Sequence, residues 1–412
     1  MTDLHDRLAF FLATDALKEI HRANWIYSRQ RHETVAEHSW HVLLLAMLLA
    51  DAAPDGVDHD HVRDLLVVHD LVEVYAGDTP LWDDALQPGS EEREMLAGER
   101  LMALLPADVA PRFDPLWREF QAQETEEARF ARAIDTLHPV LMSWSPGGHG
   151  HSHGDITPAR LFDRKRPTIE AYPHLWDCLL HTVQGAVSCG MLPPDHVVER
   201  GRIVHLSPES QEFLDRLDFF LIADRLKEVR RANRIHTVSR YESVAEHSWH
   251  AILLSMLLQD IAPEGTDHSR VCALLVVHDL VEVYAGDTPL WNTELQGSET
   301  ERELEAAYQL LGHLPKDVRD HFDALINEFL NQETGEARLA RAIDSLHPLV
   351  MSWTEGGFGH PEHNFTPTWL IERKRPTIES FPTLWDLALR IFQGAVDRGL
   401  LPPDGMIQRR GR

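Results

Sequence analysis

An eighteen-residue segment occurs twice in this chain without a single change. Residues 65–82, LLVVHDLVEVYAGDTPLW, recur at 274–291, so the copies lie 209 positions apart (274 minus 65). The same offset pairs His38 with His247. A period this long that occurs only twice indicates tandem domains, because solenoid repeats are much shorter. The chain is therefore expected to contain two copies of one folding unit.

The length and the local patterns define the expected architecture. A chain of 412 residues accommodates two ordinary domains. We predict a first domain at 1–194, a linker at 195–210 and a second domain at 211–412. Helical patterns fill each unit and no alternating strand pattern is found, so the sequence predicts an all-α fold made of two tandem helical bundles.

Helix boundaries in the first unit follow from apolar periodicity and from helix-breaking residues. Thr34 precedes Glu37 by three residues, which is the spacing of a capping box at a helix start, and the helix that follows is apolar on nearly every side. It is expected to be central and buried. The predicted helices are 6–23, 34–53, 61–75, 91–105, 108–123, 126–144 and 174–190, with connecting loops at 24–31 and 145–154.

Charge and composition limit the classes of partner. The formal net charge of −27 disfavours nucleic-acid polymers and anionic membranes, although a small anion can still be bound locally. The first residues lack the pattern of a signal peptide and no apolar run is long enough to span a bilayer, so a cytoplasmic location is predicted. The three cysteines lack the spacing of a zinc site or a disulfide framework.

A histidine and an aspartate, His69 and Asp70, lie side by side in an almost wholly apolar stretch, where an unpaired charge is costly. Together with His38 and Asp135 on two other predicted helices, they offer four nitrogen and oxygen ligands to one divalent cation in the core of a bundle. Imidazole and carboxylate ligands suit manganese, cobalt, nickel, iron or zinc. The alternative is that the histidines are hydrogen-bonded core residues and the aspartates cap helices or pair with arginines.

These residues and their surroundings carry a family resemblance. The segments ETVAEHS at 33–39, HDLVE at 69–73 and GDT at 77–79 resemble those of the HD-domain metal-dependent phosphohydrolases, in particular the branch with the bacterial 5'-deoxynucleotidases. The likeness covers about 8–192 and again 217–401. It implies one divalent cation per domain, held in the two halves by His38, His69, Asp70 and Asp135 and by His247, His278, Asp279 and Asp344.

The resemblance also implies proton handling and positioning of the attacking water by Glu73 and Asp78, and by their counterparts Glu282 and Asp287. Glu73 follows the His-Asp pair by three and four positions, which places it on the same face of a helix. Asp78 follows a glycine turn. A salt bridge for Glu73 and a turn-forming role for Asp78 are the alternatives.

A phosphate ester needs cationic groups at its binding site. The candidates are Arg22 and Arg31, with their counterparts Arg231 and Arg240. The resemblance adds Trp25 as a nucleotide contact, but the second half has Arg234 at that place, so the two sites are expected to differ in substrate or rate. A core tryptophan and surface arginines are the alternatives. The basic run at 164–166, repeated at 373–375, is interpreted as a solvated face, with a phosphate contact as the alternative.

The sequence thus predicts a hydrolase that releases phosphate from nucleoside 5'-monophosphates or similar small esters, with the halves packed as an internal pseudo-dimer. No histidine lies between 71 and 134, which favours one cation per domain over two. The loop with His149, His151 and His153 is expected to be a surface segment or lid. Alternatives are a nucleotide pyrophosphohydrolase, an iron-dependent oxygenase on the same scaffold, or a nucleotide-sensing or scaffolding protein without catalysis.

Overall fold

The computed structural model describes residues 4–28, 30–79, 82, 88–150, 156–200, 206–238, 240–292 and 298–410. The fold is all-α, as predicted, with one short two-stranded hairpin in each half. No helix in these ranges combines the length and apolar character needed to cross a bilayer.

The first half contains nine α-helices and one hairpin within the described ranges. In chain order the helices are α1 (Leu4–Thr14), α2 (Val35–Leu48), α3 (His59–Val68), α4 (Glu73–Ala76), α5 (Ser90–Met102), α6 (Ala110–Ala122), α7 (Glu126–Trp144), α8 (Pro158–Ile169) and α9 (Pro173–Cys189). The hairpin strands are β1 (His21–Trp25) and β2 (His32–Thr34). Sequence reasoning did not predict α8, which carries the basic run.

The second half repeats this order, with two short helices in the place of α1. Its elements are α10 (Pro208–Leu214), α11 (Leu217–Ala223), β3 (Arg230–Arg234), β4 (Tyr241–Ser243), α12 (Val244–Leu257), α13 (His268–Val277), α14 (Glu282–Ala285), α15 (Glu299–Leu311), α16 (Lys316–Asn331), α17 (Gly335–Trp353), α18 (Pro367–Ile378) and α19 (Pro382–Arg398). Because α10 begins within 195–210, the boundaries proposed for the two domains and the linker stay a prediction.

The hairpin corrects the prediction of a helix over 6–23 and a loop over 24–31. The helix ends at Thr14, and after a 3-10 turn strand β1 pairs with β2 in antiparallel fashion, with His21 opposite Thr34. The apolar periodicity of the sequence does not reveal this pairing, because the partners are separated along the chain. The pairing holds Thr34 extended, and its hydroxyl accepts a hydrogen bond from Glu37 N in the predicted capping box.

The second correction concerns the helix predicted over 61–75. Helix α3 ends at Val68, and the His-Asp pair lies in a tight turn in which Leu71 N donates to Val68 O and Glu73 N donates to Asp70 O. The short helix α4 then ends at Gly77, whose φ of 72° is readily adopted only by glycine. The break turns the pair away from a regular helical surface and towards the centre of the bundle.

Helix α2 is buried on all sides because it packs against α3 and α7 of its own half and against α12 of the other half. Trp40 on α2 is fully buried, and its Nε1 donates to Val276 O at 3.1 Å. The equivalent Trp249 on α12 donates to Val67 O at 3.2 Å. This contact between the halves thus has a mirror image at the offset of 209 residues, which is the pattern of a two-fold interface.

Polar contacts between the halves follow the same reciprocity. The capping hydroxyl of each central helix reaches the capping carboxylate of the other, and a buried arginine of each half donates to a backbone carbonyl of the other. The pairs are Thr34 Oγ1 with Glu246 Oε1 (3.1 Å), Ser243 Oγ with Glu37 Oε1 (2.7 Å), Arg7 with Leu257 O (3.0 Å) and Arg216 with Leu48 O (2.7 Å).

One carboxylate in α3 is expected to limit stability above neutral pH. Burial raises the pKa of Asp64 to about 6, and the second half has Ala273 at the equivalent place. An acid whose pKa is raised by folding favours the folded state at low pH, and this advantage is lost as pH rises through about 6. Asp64→Ala should therefore raise the free energy of unfolding at pH 8 by about 1–3 kcal/mol and change it little at pH 4.

Urea unfolding at both pH values measures this difference. Asp55→Ala, which removes an exposed carboxylate nearby, is the matched control. An equal effect of Asp64→Ala at both pH values would show that the substitution acts through packing rather than through charge.

Candidate metal centre and active site

The structure brings the four predicted ligands of the first half together. The Nε2 atom of His38 lies 3.1 Å from Asp135 Oδ1 and 3.8 Å from Asp70 Oδ2. The Nε2 atom of His69 lies 3.1 Å from Asp70 Oδ2 and 3.9 Å from Asp135 Oδ1. Ligand atoms about 2.1 Å from one cation are separated from each other by roughly 3.0–3.4 Å. The cluster therefore has the size of a single-cation site.

The orientation of the histidines also fits a cation. His69 Nδ1 lies 2.7 Å from Leu66 O and His278 Nδ1 lies 2.9 Å from Leu275 O, which fixes each ring and directs Nε2 into its cluster. Such a backbone contact at the far ring nitrogen is common for metal-binding histidines. Both Nε2 atoms are buried and find no hydrogen-bond partner among the described residues. A cation would satisfy them.

The protonation states of His38, Asp70 and Asp135 are those that metal ligands need. Burial, assisted by the charge of Arg22, lowers the pKa of His38 to about 3, so its imidazole is neutral. Burial alone would raise the pKa of Asp135, but the His38 and His69 side chains hold it well below its usual value. Burial would lower the pKa of His69, yet the charge of Asp70 raises it. In this constellation a proton on His69 compensates the two carboxylates.

The second half reproduces the cluster closely. Burial and Arg231 lower the pKa of His247 to about 3. The charge of His278 outweighs burial and lowers the pKa of Asp279 to about 2. The equivalent distances are 3.0 Å from His247 Nε2 to Asp344 Oδ1 and 3.1 Å from His278 Nε2 to Asp279 Oδ2.

The two predicted catalytic carboxyls lie beside the cluster. Burial first, and then the charge of Asp70, raise the pKa of Glu73 well above its usual value, so this side chain favours the protonated form. Its Oε2 is buried without a hydrogen-bond partner in the described part of the chain. Asp78 follows the Gly77 turn, and burial raises its pKa as well. Burial raises the pKa values of Glu282 and Asp287 in the same way.

Arg22 lies at the centre of this acidic group. Its guanidinium is 2.8 Å from Asp70, 3.7 Å from Asp78, 3.8 Å from Glu33 and 3.9 Å from Glu73. It lines a cavity of about 250 Å³ that also exposes Asp135. In the other half, Arg231 lies 2.8 Å from Asp279 and 3.7 Å from Asp287.

The structure does not bring Arg31 or Arg240 to the cavities. Arg31 makes two hydrogen bonds to Glu37, of 2.7 and 2.6 Å, and a third of 2.6 Å to Lys227 O of the other half. Arg240 repeats these contacts with Glu246 and Lys18 O. Both arginines thus lie at the interface between the halves, and their contact with substrate stays a prediction.

Trp25 is the last residue of β1. Its ring packs on His32, with centroids 4.3 Å apart, and on His149 at 5.1 Å. The counterpart Arg234 lies over the ring of Tyr241 at 5.5 Å. The substrate contact predicted for Trp25 is not tested by these contacts. Of the histidine-rich loop, His151 and His153 lie outside the described residues.

One cavity residue was not assigned to the site from sequence. Lys165 on α8 is buried and lines the first cavity, and its counterpart Lys374 lines the second. Burial lowers the pKa of each lysine to about 8. The repeated basic run was the available signal, but its middle residue points into the cavity instead of lying on a solvated face.

The second cavity, of about 290 Å³, has an aromatic wall. Phe365 and Trp369 stack with centroids 4.5 Å apart and an interplanar angle of 15°, and Trp291 lies 5.5 Å from Phe365. The first half has Ile156 and Arg160 in place of Phe365 and Trp369. The two cavities therefore differ in their aromatic lining.

Comparison with known proteins agrees with this geometry. A family model described as the HD domain matches residues 14–176 and 223–385. Human 5'-deoxynucleotidase HDDC2 is 30% identical over 168 residues, which are 40% of this chain and 78% of the human protein. The 5'-deoxynucleotidase yfbR of Photorhabdus temperata is 29% identical over 161 residues, which are 37% of this chain and 80% of that protein.

A solved structure of a predicted metal-dependent phosphohydrolase from Magnetospirillum magnetotacticum is 32% identical, with a TM-score of 0.44, and the match covers 48% of this chain and 100% of that one. The two segments matched by the family model span most of the chain and coincide with the internal repeat. The chain belongs to the HD-domain family of metal-dependent phosphohydrolases and carries two copies of the domain in tandem.

Proposed function

We propose that each half binds one divalent cation and releases phosphate from nucleoside 5'-monophosphates or closely related small phosphomonoesters. The observation that carries the proposal is the convergence of His38, His69, Asp70 and Asp135 on one point, next to an arginine and two acids that are largely but not fully buried. The names of the human and bacterial relatives support the choice of substrate class.

The cation would be held by the two imidazoles and two carboxylates of each half. When bound, a divalent cation supplies Lewis acidity, which polarises a phosphoryl oxygen and activates water at neutral pH. Mn²⁺, Co²⁺, Ni²⁺, Fe²⁺ and Zn²⁺ all suit this ligand set. This set of donor atoms is compatible with all five metals.

The remaining residues of the cavity have roles that follow from their charge. Arg22 and Lys165 bind the phosphate oxygens, because they line the cavity together with Arg132, which is itself paired with Asp135 at 3.4 Å. Glu73 holds a proton and gives it to the departing sugar oxygen, which otherwise leaves as an alkoxide. Asp78 accepts a hydrogen bond from the attacking water and orients it. The second half uses Arg231, Lys374, Glu282 and Asp287 in the same way.

A phosphate-release screen tests the proposal. Nucleoside 5'-monophosphates with ribose and deoxyribose, nucleoside 3'-monophosphates and sugar phosphates are compared with each of the five metals. Release that requires a metal and prefers 5'-monophosphates is the expected result. Pyrophosphate release from triphosphates would contradict the proposal and indicate a pyrophosphohydrolase. Oxygen consumption with iron, without phosphate release, would indicate an oxygenase. Nucleotide binding without turnover would indicate a sensing role.

Substitution of Arg22 should impair phosphate binding. Arg22→Met, made together with Asp279→Ala so that only the first centre remains, should lower kcat/KM by about 10- to 100-fold, because a charged hydrogen bond to the phosphate is lost. Steady-state phosphate release measures it, with Arg118→Met, at an arginine of α6 that pairs with Asp114, as the control. An unchanged kcat/KM would exclude Arg22 from the phosphate site.

The aromatic wall of the second cavity supports different substrate preferences in the two halves. Stacking of a base on Trp369 contributes about 1–3 kcal/mol. Trp369→Arg, which introduces the residue of the first half, should therefore raise KM for nucleotides by about 5- to 100-fold in a chain that also carries Asp70→Ala.

Ribose 5-phosphate, which has no base, is the control substrate for this variant. Its KM should not change, because it has no aromatic base to stack on Trp369. An equal rise of KM for both substrates would contradict base stacking at this wall.

We also propose that the two halves form an internal pseudo-dimer in solution. The reciprocal contacts of Trp40 and Trp249 support this arrangement. Small-angle scattering of an elongated particle with separated halves would contradict it. The cytoplasmic location predicted from the sequence is part of the same proposal, and detection of the chain in a cell fraction other than the cytosol would contradict it.

A further inference from the structure

A buried lysine of each half lies behind the metal centre of the other half. Lys227 belongs to the second half, has no exposed side-chain surface, and its Nζ lies 2.8 Å from Glu33 Oε2 of the first half. In the reciprocal contact, Lys18 Nζ lies 2.9 Å from Glu242 Oε2. The partners of each pair are separated by 194 and 224 residues along the chain.

Each of these carboxylates faces a predicted metal ligand. Glu33 Oε1 lies 3.7 Å from His38 Nδ1, and Glu242 Oε1 lies 3.7 Å from His247 Nδ1. Glu33 Oε1 and His38 Nδ1 are both buried and lack a hydrogen-bond partner in the ranges that the structure describes, and a small movement of either side chain would bring them within hydrogen-bond distance. In the second half Glu242 Oε1 also lacks a partner, whereas His247 Nδ1 lies 3.1 Å from His347 Nδ1. A carboxylate that accepts the far N–H of a metal-binding imidazole fixes the ring and raises its basicity.

The lysine fixes the position of this carboxylate. Glu33 and Glu242 are fully buried, and each accepts a charged hydrogen bond from the lysine of the other half. Without the lysine, the buried carboxylate loses this donor and is no longer held against the imidazole. Lys227 is itself held by Asp224 at 2.5 Å, so its position is set within the second half.

We propose that Lys227 and Lys18 are positioning residues that act across the boundary between the halves, each setting the cation affinity of the centre in the other half through Glu33 or Glu242. The inference rests on the proposed function, because it requires a cation at each centre. It makes the two HD domains mutually dependent, since each centre is completed by a residue that its own half does not supply.

Titration with Co²⁺ alone tests the inference, with the visible absorption of the bound ion as the readout. The full chain is used with Asp279→Ala, which leaves the first centre, or with Asp70→Ala, which leaves the second. Lys227→Met should raise the dissociation constant of the first centre by about 10- to 100-fold. It should change that of the second centre by less than about twofold. Lys18→Met should show the opposite selectivity.

Equal weakening of both centres by Lys227→Met, or no weakening of either, overturns the inference. Lys227→Arg, which keeps the positive charge, should restore most of the affinity. If Lys227→Met does not fold, Glu33→Gln should show the same selective loss, and a loss at neither centre or at both overturns the inference. If the unmodified chain shows no saturable Co²⁺ binding, the proposed function fails and the inference fails with it. Binding of two Co²⁺ without cross-half selectivity contradicts the inference alone.

Discussion

The double variant Asp70→Ala with Asp279→Ala is expected to release phosphate at least about a thousandfold more slowly than the unmodified chain. Each substitution removes one carboxylate that lies 3.1 Å from a histidine of its cluster and carries a negative charge that a cation requires. Lewis-acid stabilisation of the transition state contributes several kcal/mol, and about 4 kcal/mol corresponds to a thousandfold in rate. Phosphate release at saturating metal and substrate measures the loss.

The single variants separate the two centres. Each should retain the activity of the intact centre, so that their rates add up to approximately the rate of the unmodified chain. Asp114→Ala, at a carboxylate on α6 that pairs with Arg118, is the control. Full activity in the double variant would place the chemistry elsewhere in the molecule.

Trp40→Ala is expected to lower the free energy of unfolding by about 3–5 kcal/mol, the usual cost of truncating a fully buried tryptophan. Trp40 lies on the central helix, is fully buried, and donates a hydrogen bond to Val276 O of the other half. The loss therefore acts on the core of the first half and on the interface at the same time. Urea unfolding followed by circular dichroism measures it.

Trp40→Phe separates the two contributions. It keeps most of the buried ring and removes only the inter-half hydrogen bond, so the expected loss is about 1 kcal/mol. Trp25→Ala, at a half-buried tryptophan on the hairpin whose ring packs on His32 and His149 of its own half, is the control. A loss below about 1 kcal/mol for Trp40→Ala would show that the central helix does not hold the halves together.

The sequence predicted those parts of the site that depend on residue type and order. His69 and Asp70 in an apolar stretch, with His38 and Asp135 at the same places in each copy, were sufficient to identify the cluster that the structure assembles. Buried polar and charged side chains that have no partner nearby in the sequence must be compensated in the fold, and a cation bound between them would do this. The all-α fold and the capping box at Thr34 were also predictable, because both follow from local patterns.

The parts that could not be predicted depend on contacts between distant residues. The pairing of β1 with β2 and the break after Val68 override the helical pattern, because tertiary packing outweighs weak local preferences. The orientation of Lys165 into the cavity depends on how α8 packs on α7. The pairs of Lys227 with Glu33 and of Lys18 with Glu242 have no local signature at all, because they exist only when the halves meet.

Anomalous diffraction from crystals loaded with Mn²⁺ or Co²⁺ tests the central claim most directly. The predicted result is two strong peaks per chain, each about 2.0–2.2 Å from donor atoms of the two clusters. The donors are His38, His69, Asp70 and Asp135 in one half, and His247, His278, Asp279 and Asp344 in the other. Fully loaded crystals without a peak at either cluster would contradict the account.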